Sequence, residues 1–257
     1  MTSLTNFVDF FYSKLNLPQA AYLGARIYKK QLLENADLTI TDRKWVNDDI
    51  ESLEWRYTLK PATINVAKYE DADREYLEIA LLHIKIKSDT HVKRLGEVIQ
   101  RSIPYPLVLV FECGNRININ LADKRVNRAD ASKLKVEQFF DSDWLFSNSE
   151  IELAFLEQLN ATSYSHQDLF TYYQELMRRV VALQTAKFTG KYSLTANAEA
   201  DKLRQENLQA LKQLELQLVS LKAQVKNETQ FNRKLEGNVQ IKQVKQQIQQ
   251  ITTKLSA

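Results

Sequence analysis

Hydrolysis assisted by a divalent cation needs carboxylates to hold the ion and a lysine or similar group to polarise the attacking water. The residues of those types that stand near one another are Glu78 and Lys85, with Asp71 and Asp73 in the acidic run Glu70-Asp71-Ala72-Asp73-Arg74-Glu75 just before them. That run reads as a solvated turn. His83, His91 and His166 are too scattered for a metal site by spacing, so none is expected. His83 falls in an apolar alternation and reads as a core or sheet-surface residue. The single cysteine, Cys113, excludes an internal disulfide framework and a cysteine-based zinc site, and reads as a small buried filler. Five glycines and no phosphate-cradling motif argue against an intrinsic nucleotide-hydrolysing engine, so no cofactor is expected and any ATP use would come from a partner. The residues best placed to grip phosphates are Arg116, Lys124, Arg125, Arg128, Lys133 and Lys135, set against Asp123 and Asp130. A solvated polar loop accounts for them equally well.

The elements that must position these groups follow from periodicity. Phe7, Phe10, Phe11 and Leu15 recur at helical spacing, and Pro18 opens a second helix with Ala20, Leu23, Ile27 and Leu32 on one stripe. Arg26, Lys29 and Lys30 read as its solvated face. Thr39 or Thr41 caps a third helix, whose buried stripe is Trp45, Ile50 and Leu53. The period then changes to two: Trp55, Tyr57 and Leu59 alternate with Arg56, Thr58 and Lys60, a half-buried strand that Pro61 ends. Thr63 to Ala67 begins a second strand, and Tyr76 to Lys87 a third with Leu77, Ile79, Leu81 and His83 on one face. Thr90 to Ile103 is a helix, and Pro104 and Pro106 force its exit. Leu107 to Phe111 is apolar enough to be a central strand covered on both faces, and the Gly114-Asn115 turn leads back through Ile117, Ile119 and Leu121. The order predicts a mixed α/β sheet with a crossover helix.

Residues 123–149 read as a polar connection. Helices then follow, one carrying Ile151, Leu153 and Leu156, and one capped by Ser165 that carries Leu169, Tyr172, Tyr173, Leu176 and Val180. Beyond Gly190, Leu211, Leu214, Leu218, Leu221 and Val225 hold a 3-4 spacing, as do Ile241, Val244, Ile248, Ile251 and Leu255, which is a coiled-coil seam. The two blocks are out of phase across the polar stretch Asn227 to Gly237, so a helical hairpin fits better than one rod. Each block is short and must pair with its mate, another copy or a partner. The expected organisation is an α/β domain over 1–150, a helical extension over 151–190 and a coiled tail over 191–257.

With Trp55, Tyr57, Leu59, Pro61, Thr63 and Asn65 in register and Ile103-Pro104-Tyr105-Pro106 before an apolar strand, the chain resembles the bacterial family catalogued as domain of unknown function 4391. Arg26-Ile27-Tyr28-Lys29-Lys30, Lys124 and Trp144 match the family pattern too, and the likeness covers roughly residues 22–180; Thr58-Leu59-Lys60-Pro61 departs from its usual Lys-Leu-Ser-Pro. The resemblance implies a neighbourhood of helicases and DNA methyltransferases in restriction or phage-defence islands, hence an accessory subunit of such a complex. The predicted element order also matches restriction-endonuclease-like nucleases, which need an Asp on the second strand and Glu-x-Lys on the third. On the expected strands those places hold Asn65, Glu78 and Ala80, poor chemistry for Mg2+. The expectation is therefore a non-catalytic subunit that binds a helicase or methyltransferase, with DNA binding and homo-oligomerisation through the tail both open. The alternative is a metal-dependent nuclease with a migrated site around Glu78 and Lys85. A net charge of +3, no basic leader and no apolar run near the roughly 18 residues of a membrane span predict a cytoplasmic protein without membrane contact.

Overall fold

The computed structural model describes residues 6–34, 38–127, 130–146 and 148–256, with the backbone alone for residues 127 and 130–134. They fall into two compact units, Met1–Val180 and Val181–Ala257.

The first unit opens with α1 (Phe7–Leu15), capped by Asn6 and closed by Asn16 at φ 49, which buries Phe7, Val8, Phe11, Tyr12 and Leu15. Pro18 does not open a second helix. It leads through one 3-10 turn (Gln19–Ala21) into β1 (Tyr22–Arg26), so the stripe expected through Leu23 and Ile27 is absent and Leu23 is 52% exposed. The reason is Gly24, whose φ of 63 belongs to the left-handed region and stops a helix there. Helix returns only in α2 (Lys29–Glu34), anchored by Leu32. In α3 (Ile40–Asp49) the cap is Thr39, in a reciprocal capping box with Asp42, and the buried residues are Asp42 and Val46. Ile50 and Leu53 instead belong to β2 (Ile50–Leu59), which starts where α3 stops.

Pro61 then begins a single helical turn, α4 (Pro61–Ile64), ended by Asn65 at φ 53; the strand expected from Thr63 does not form. Proline is preorganised for a first helical position, and the adjacent αL residue closes the turn. The short β3 (Tyr69–Glu70) and β4 (Glu75–Tyr76) flank the acidic turn, where Asp71 accepts the N–H groups of Asp73 and Arg74 at 2.8 and 2.7 Å. Then come β5 (Ile79–Ile86), α5 (Val92–Ser102), β6 (Leu107–Cys113), β7 (Arg116–Asn127) and β8 (Asp130–Leu145). The main sheet has the order β1-β2-β5-β6-β7-β8. β5 and β6 are parallel and joined through α5; the other neighbours are antiparallel.

The expected mixed sheet with a crossover helix is present. Ala80, Leu82 and Ile84 of β5 and Leu107, Leu109 and Phe111 of β6 form one core with Leu95, Val98 and Ile99 of α5. The polar connection expected over 123–149 is mostly strand, because β8 is an edge strand and needs only a partly apolar face: Phe140 and Leu145 are buried among polar neighbours. After α6 (Glu150–Glu157), α7 (Leu169–Thr189) is capped by Asp168, whose carboxylate accepts the Thr171 N–H at 2.8 Å, rather than by Ser165. Tyr173 fixes α7 to the sheet: its hydroxyl donates to the Leu107 carbonyl at 2.7 Å and accepts the Ala122 N–H at 3.1 Å.

In the second unit, α7 ends before Gly190 at φ 76, and α8 (Ala198–Asn227) and α9 (Phe231–Ser256) form the expected helical hairpin. The turn is shorter than expected, Glu228 to Gln230, with the Glu228 carboxylate accepting both following N–H groups at 2.8 Å. Leu211 and Val244 are buried in the seam, while Leu214, Leu218, Leu221, Val225, Ile241, Ile248 and Ile251 are half-buried. Gly237, read as part of the break, lies inside α9, where a Cβ would come within 2.4 Å of Val225 Cγ2.

Candidate functional site at the carboxyl edge of the sheet

β1, β5 and β6 point the same way, so their carboxyl ends share one edge of the sheet. Ligand sites of open α/β sheets gather outside such ends. There β5 supplies His83 and Lys85, β6 supplies Glu112, β2 supplies Glu51, Glu54 and Arg56, and α1 adds Tyr12. Glu54 is the register partner of His83. A bulge between Trp55 and Tyr57 takes Arg56 out of the ladder and lays its guanidinium over the Tyr12 ring, 4.1 Å from its centre.

Every charge in the cluster has a neighbour of opposite sign. His83 Nε2 is 2.9 Å from Glu112 Oε2, and its Nδ1 is 2.9 Å from the Tyr12 hydroxyl. Lys85 Nζ lies 3.5 Å from Glu112 Oε1 and 4.0 Å from Glu51 Oε2, and Arg56 lies 3.7 Å from Glu54. Burial lowers the His83 pKa against the raising effect of Glu112, and burial raises that of Tyr12. Neutral His83 therefore donates from Nε2 to Glu112 and accepts at Nδ1 from the Tyr12 hydroxyl, a tautomer assigned from its partners. A ring with both nitrogens engaged cannot ligate a cation without breaking one of these bonds. Among the described residues, no three His, Cys, Asp or Glu side chains stand close enough to hold a metal.

The sequence placed this site on the wrong strands. The second and third long strands of the sheet are β2 and β5, so Asn65 is a helix-closing residue and not a strand ligand. Glu78 precedes β5, and seven residues of extended chain, about 23 Å, part it from Lys85, so the two do not share a site. The residues that sequence reasoning missed are Glu51, Glu54, Arg56, Glu112 and Tyr12. One signal was available: His83-Ile84-Lys85 has the spacing of Glu-x-Lys, with histidine in place of the acid.

The basic run is divided in the same way. Lys124 is 2% exposed, and its Nζ donates to the carbonyls of Ile103 and Tyr105 at 2.9 and 2.6 Å. It pins the Ile103–Pro106 exit and does not reach solvent, which removes it from any phosphate-gripping surface; burial lowers its pKa to about 7. Arg116 is held by Asp89 at 2.5 Å and stacks over Trp144 at 4.7 Å. Arg125 and Lys135 are exposed cross-strand partners, Lys135 also lying 3.6 Å from Glu137. Arg128 and the side chain of Lys133 lie outside the described residues.

A mixed sheet with one parallel pair bridged by a helix, a charge-compensated cluster at its carboxyl edge and a helical hairpin define the class of α/β protein. The family model described as domain of unknown function (DUF4391) matches residues 15–248, and the chain belongs to that family. No curated protein and no solved structure matches it. Among the described residues no helix is long and apolar enough to cross a membrane.

Proposed function

We propose that this chain is a non-catalytic accessory subunit of a restriction or anti-phage defence complex, acting in the cytoplasm. Its α/β unit contacts DNA, and its helical hairpin meets a helicase or DNA methyltransferase subunit. The observation that carries the non-catalytic part is His83: it stands where a nuclease of this strand order needs a metal-binding acid, and both its nitrogens are engaged. The partner class rests on the family resemblance. Affinity capture of the tagged full chain from its native host, read by mass spectrometry, tests the reading. A helicase or methyltransferase in stoichiometric amount supports it; the chain alone, or only a second copy of it through the hairpin, refutes the partner.

A second reading, a metal-dependent nuclease, is favoured by one observation: Glu51 and Glu112 flank Lys85 at the carboxyl edge of the sheet. Those two carboxylates would hold Mg2+ and Lys85 would polarise water, at the cost of the present Lys85–Glu112 contact. Cleavage of DNA by the purified chain with magnesium or manganese, lost in Glu112→Gln, would establish it in place of the first.

A further inference from the structure

Beside the compensated cluster lies a surface that the cluster does not use. β1 is an edge strand of the main sheet, and all five of its residues are exposed. Tyr22 at its start is 45% exposed, and Tyr28 just past its end is 62% exposed. The Tyr22 ring packs edge-on against Tyr57 at 5.5 Å, and the Arg26 guanidinium lies 5.4 Å from the centre of the Tyr28 ring. Both rings are thus braced and still open to solvent.

The run that leaves β1 is basic. Arg26, Lys29 and Lys30 follow one another with no acid among residues 26–31, and Lys87 stands just past the end of β5, which β2 separates from β1. Lys29 lies near enough to Lys87 for the like charge to lower its pKa, after the larger effect of burial and against Asp48. The acids at hand are Glu54, the register partner of Arg26, which lies 3.5 Å from the Tyr22 hydroxyl and 3.7 Å from Arg56; Glu34, 3.6 Å from Lys30; Glu51, 4.0 Å from Lys85; Asp48; and Asp49, taken up by His91 at 2.7 Å. Exposed ion pairs of this kind contribute little and are easily exchanged for another anion.

We infer that the Tyr22–Lys30 edge, with Lys87, is a binding surface for single-stranded nucleic acid. Rings with an open face and cations tracking a backbone are the two components of sequence-tolerant single-strand recognition. A duplex keeps its bases stacked on each other and leaves Tyr22 and Tyr28 without a ligand. The six residue steps from Tyr22 to Tyr28 span at most about 20 Å, room for a few nucleotides. The inference rests on the reading that the α/β unit contacts DNA, and assigns that contact to this edge in place of the β7–β8 run.

The test is fluorescence anisotropy of the full chain with labelled oligo(dT) and a duplex of equal length, at low and moderate salt. Oligo(dT) is expected to bind more tightly than the duplex. Tyr28→Ala should weaken it roughly 5- to 150-fold with the salt dependence unchanged, because stacking is not ionic. Combined Lys29→Gln, Lys30→Gln and Lys87→Gln should flatten the salt dependence. All these side chains reach the surface, and an unchanged melting temperature verifies folding. Preference for the duplex overturns the inference. So does wild-type binding by these variants with loss in Arg125→Ala plus Lys135→Ala, a result that leaves DNA contact itself standing. No binding of either probe at low salt removes both the inference and the DNA part of the proposed function, while partner capture remains a separate measurement.

Discussion

Replacing Lys124 by methionine should remove a measurable part of the alkaline rise in stability. Burial lowers the pKa of Lys124 from 10.5 to about 7, with no carboxylate partner among the described residues. Between those values the unfolded chain keeps the proton and the folded chain sheds it. Stability therefore rises with pH across this window, by up to about 1.4 kcal/mol per pH unit. From about pH 7.5 to about pH 9.5 the group contributes a gain on the order of 2 to 3 kcal/mol. Above about pH 10 the sign reverses, because burial raises the pKa of Tyr76 and Tyr173 and the unfolded phenols ionise first. Methionine keeps the apolar stem and cannot titrate, but it leaves the Ile103 and Tyr105 carbonyls without their donor, at about 1 to 3 kcal/mol each. Relief of the buried charge offsets much of that loss near neutrality, so the slope is more diagnostic than the value at one pH. Urea unfolding of both proteins across the window measures it. Equal slopes would show that Lys124 does not titrate there and would refute the argument from desolvation.

Three further changes probe other parts of the structure. Tyr173→Phe deletes the hydroxyl shared by Leu107 and Ala122 and should cost about 1 to 3 kcal/mol in urea unfolding, with the m-value unchanged. His83 has a pKa lowered by burial, so the unfolded imidazole takes a proton first and stability is lost as pH falls below 6.5. His83→Gln should flatten that acid limb, and an unchanged limb counts against a neutral His83. Gly→Ala within a helix normally gains up to about 1 kcal/mol, but Gly237→Ala should lower the melting of the hairpin, read by circular dichroism. Its Cβ would meet Val225 Cγ2 at 2.4 Å, and a β-branched side chain in a helix has little rotamer freedom to move aside.

What could be read from the sequence was what periodicity carries. The apolar run Leu107–Phe111 and the strip Val92, Leu95, Val98 and Ile99 specify a central strand and the helix that crosses to it, and both are present. The heptad phase break specifies a hairpin, which α8 and α9 form. Three strand assignments failed for local reasons that hydropathy does not register. Gly24 at positive φ makes β1 out of a helical-looking stripe, Pro61 nucleates one turn of helix where a strand was expected, and β8 carries an edge strand's sparse apolar pattern. Each of these also moved the candidate site. Once α4 takes Thr63 and Ile64, the strand beside β5 becomes β2, and Glu51, Glu54 and Arg56 arrive opposite His83 and Lys85 through pairing that no spacing rule contains.

The compensation within that cluster separates the two functional readings on physical grounds. A site built to take a divalent cation leaves its acids mutually repelling until the ion arrives, and such crowding raises carboxylate pKa values. Here Glu112 is spanned by His83 and Lys85, and Glu54 is met by Arg56, so the acids are already stabilised by the chain itself. Loading a cation on Glu51 and Glu112 would have to displace Lys85 from between them. An anion faces a different balance. At the Tyr22–Lys30 edge it would exchange the weak, exposed Lys30–Glu34 pair for phosphate contacts and add stacking on Tyr28, leaving Lys85 on Glu112 and the buried Tyr12–His83–Glu112 chain in place. The proposed single-strand surface is thus compatible with a cluster that resists a cation. That asymmetry is what favours a subunit that holds nucleic acid for the chemistry of a partner.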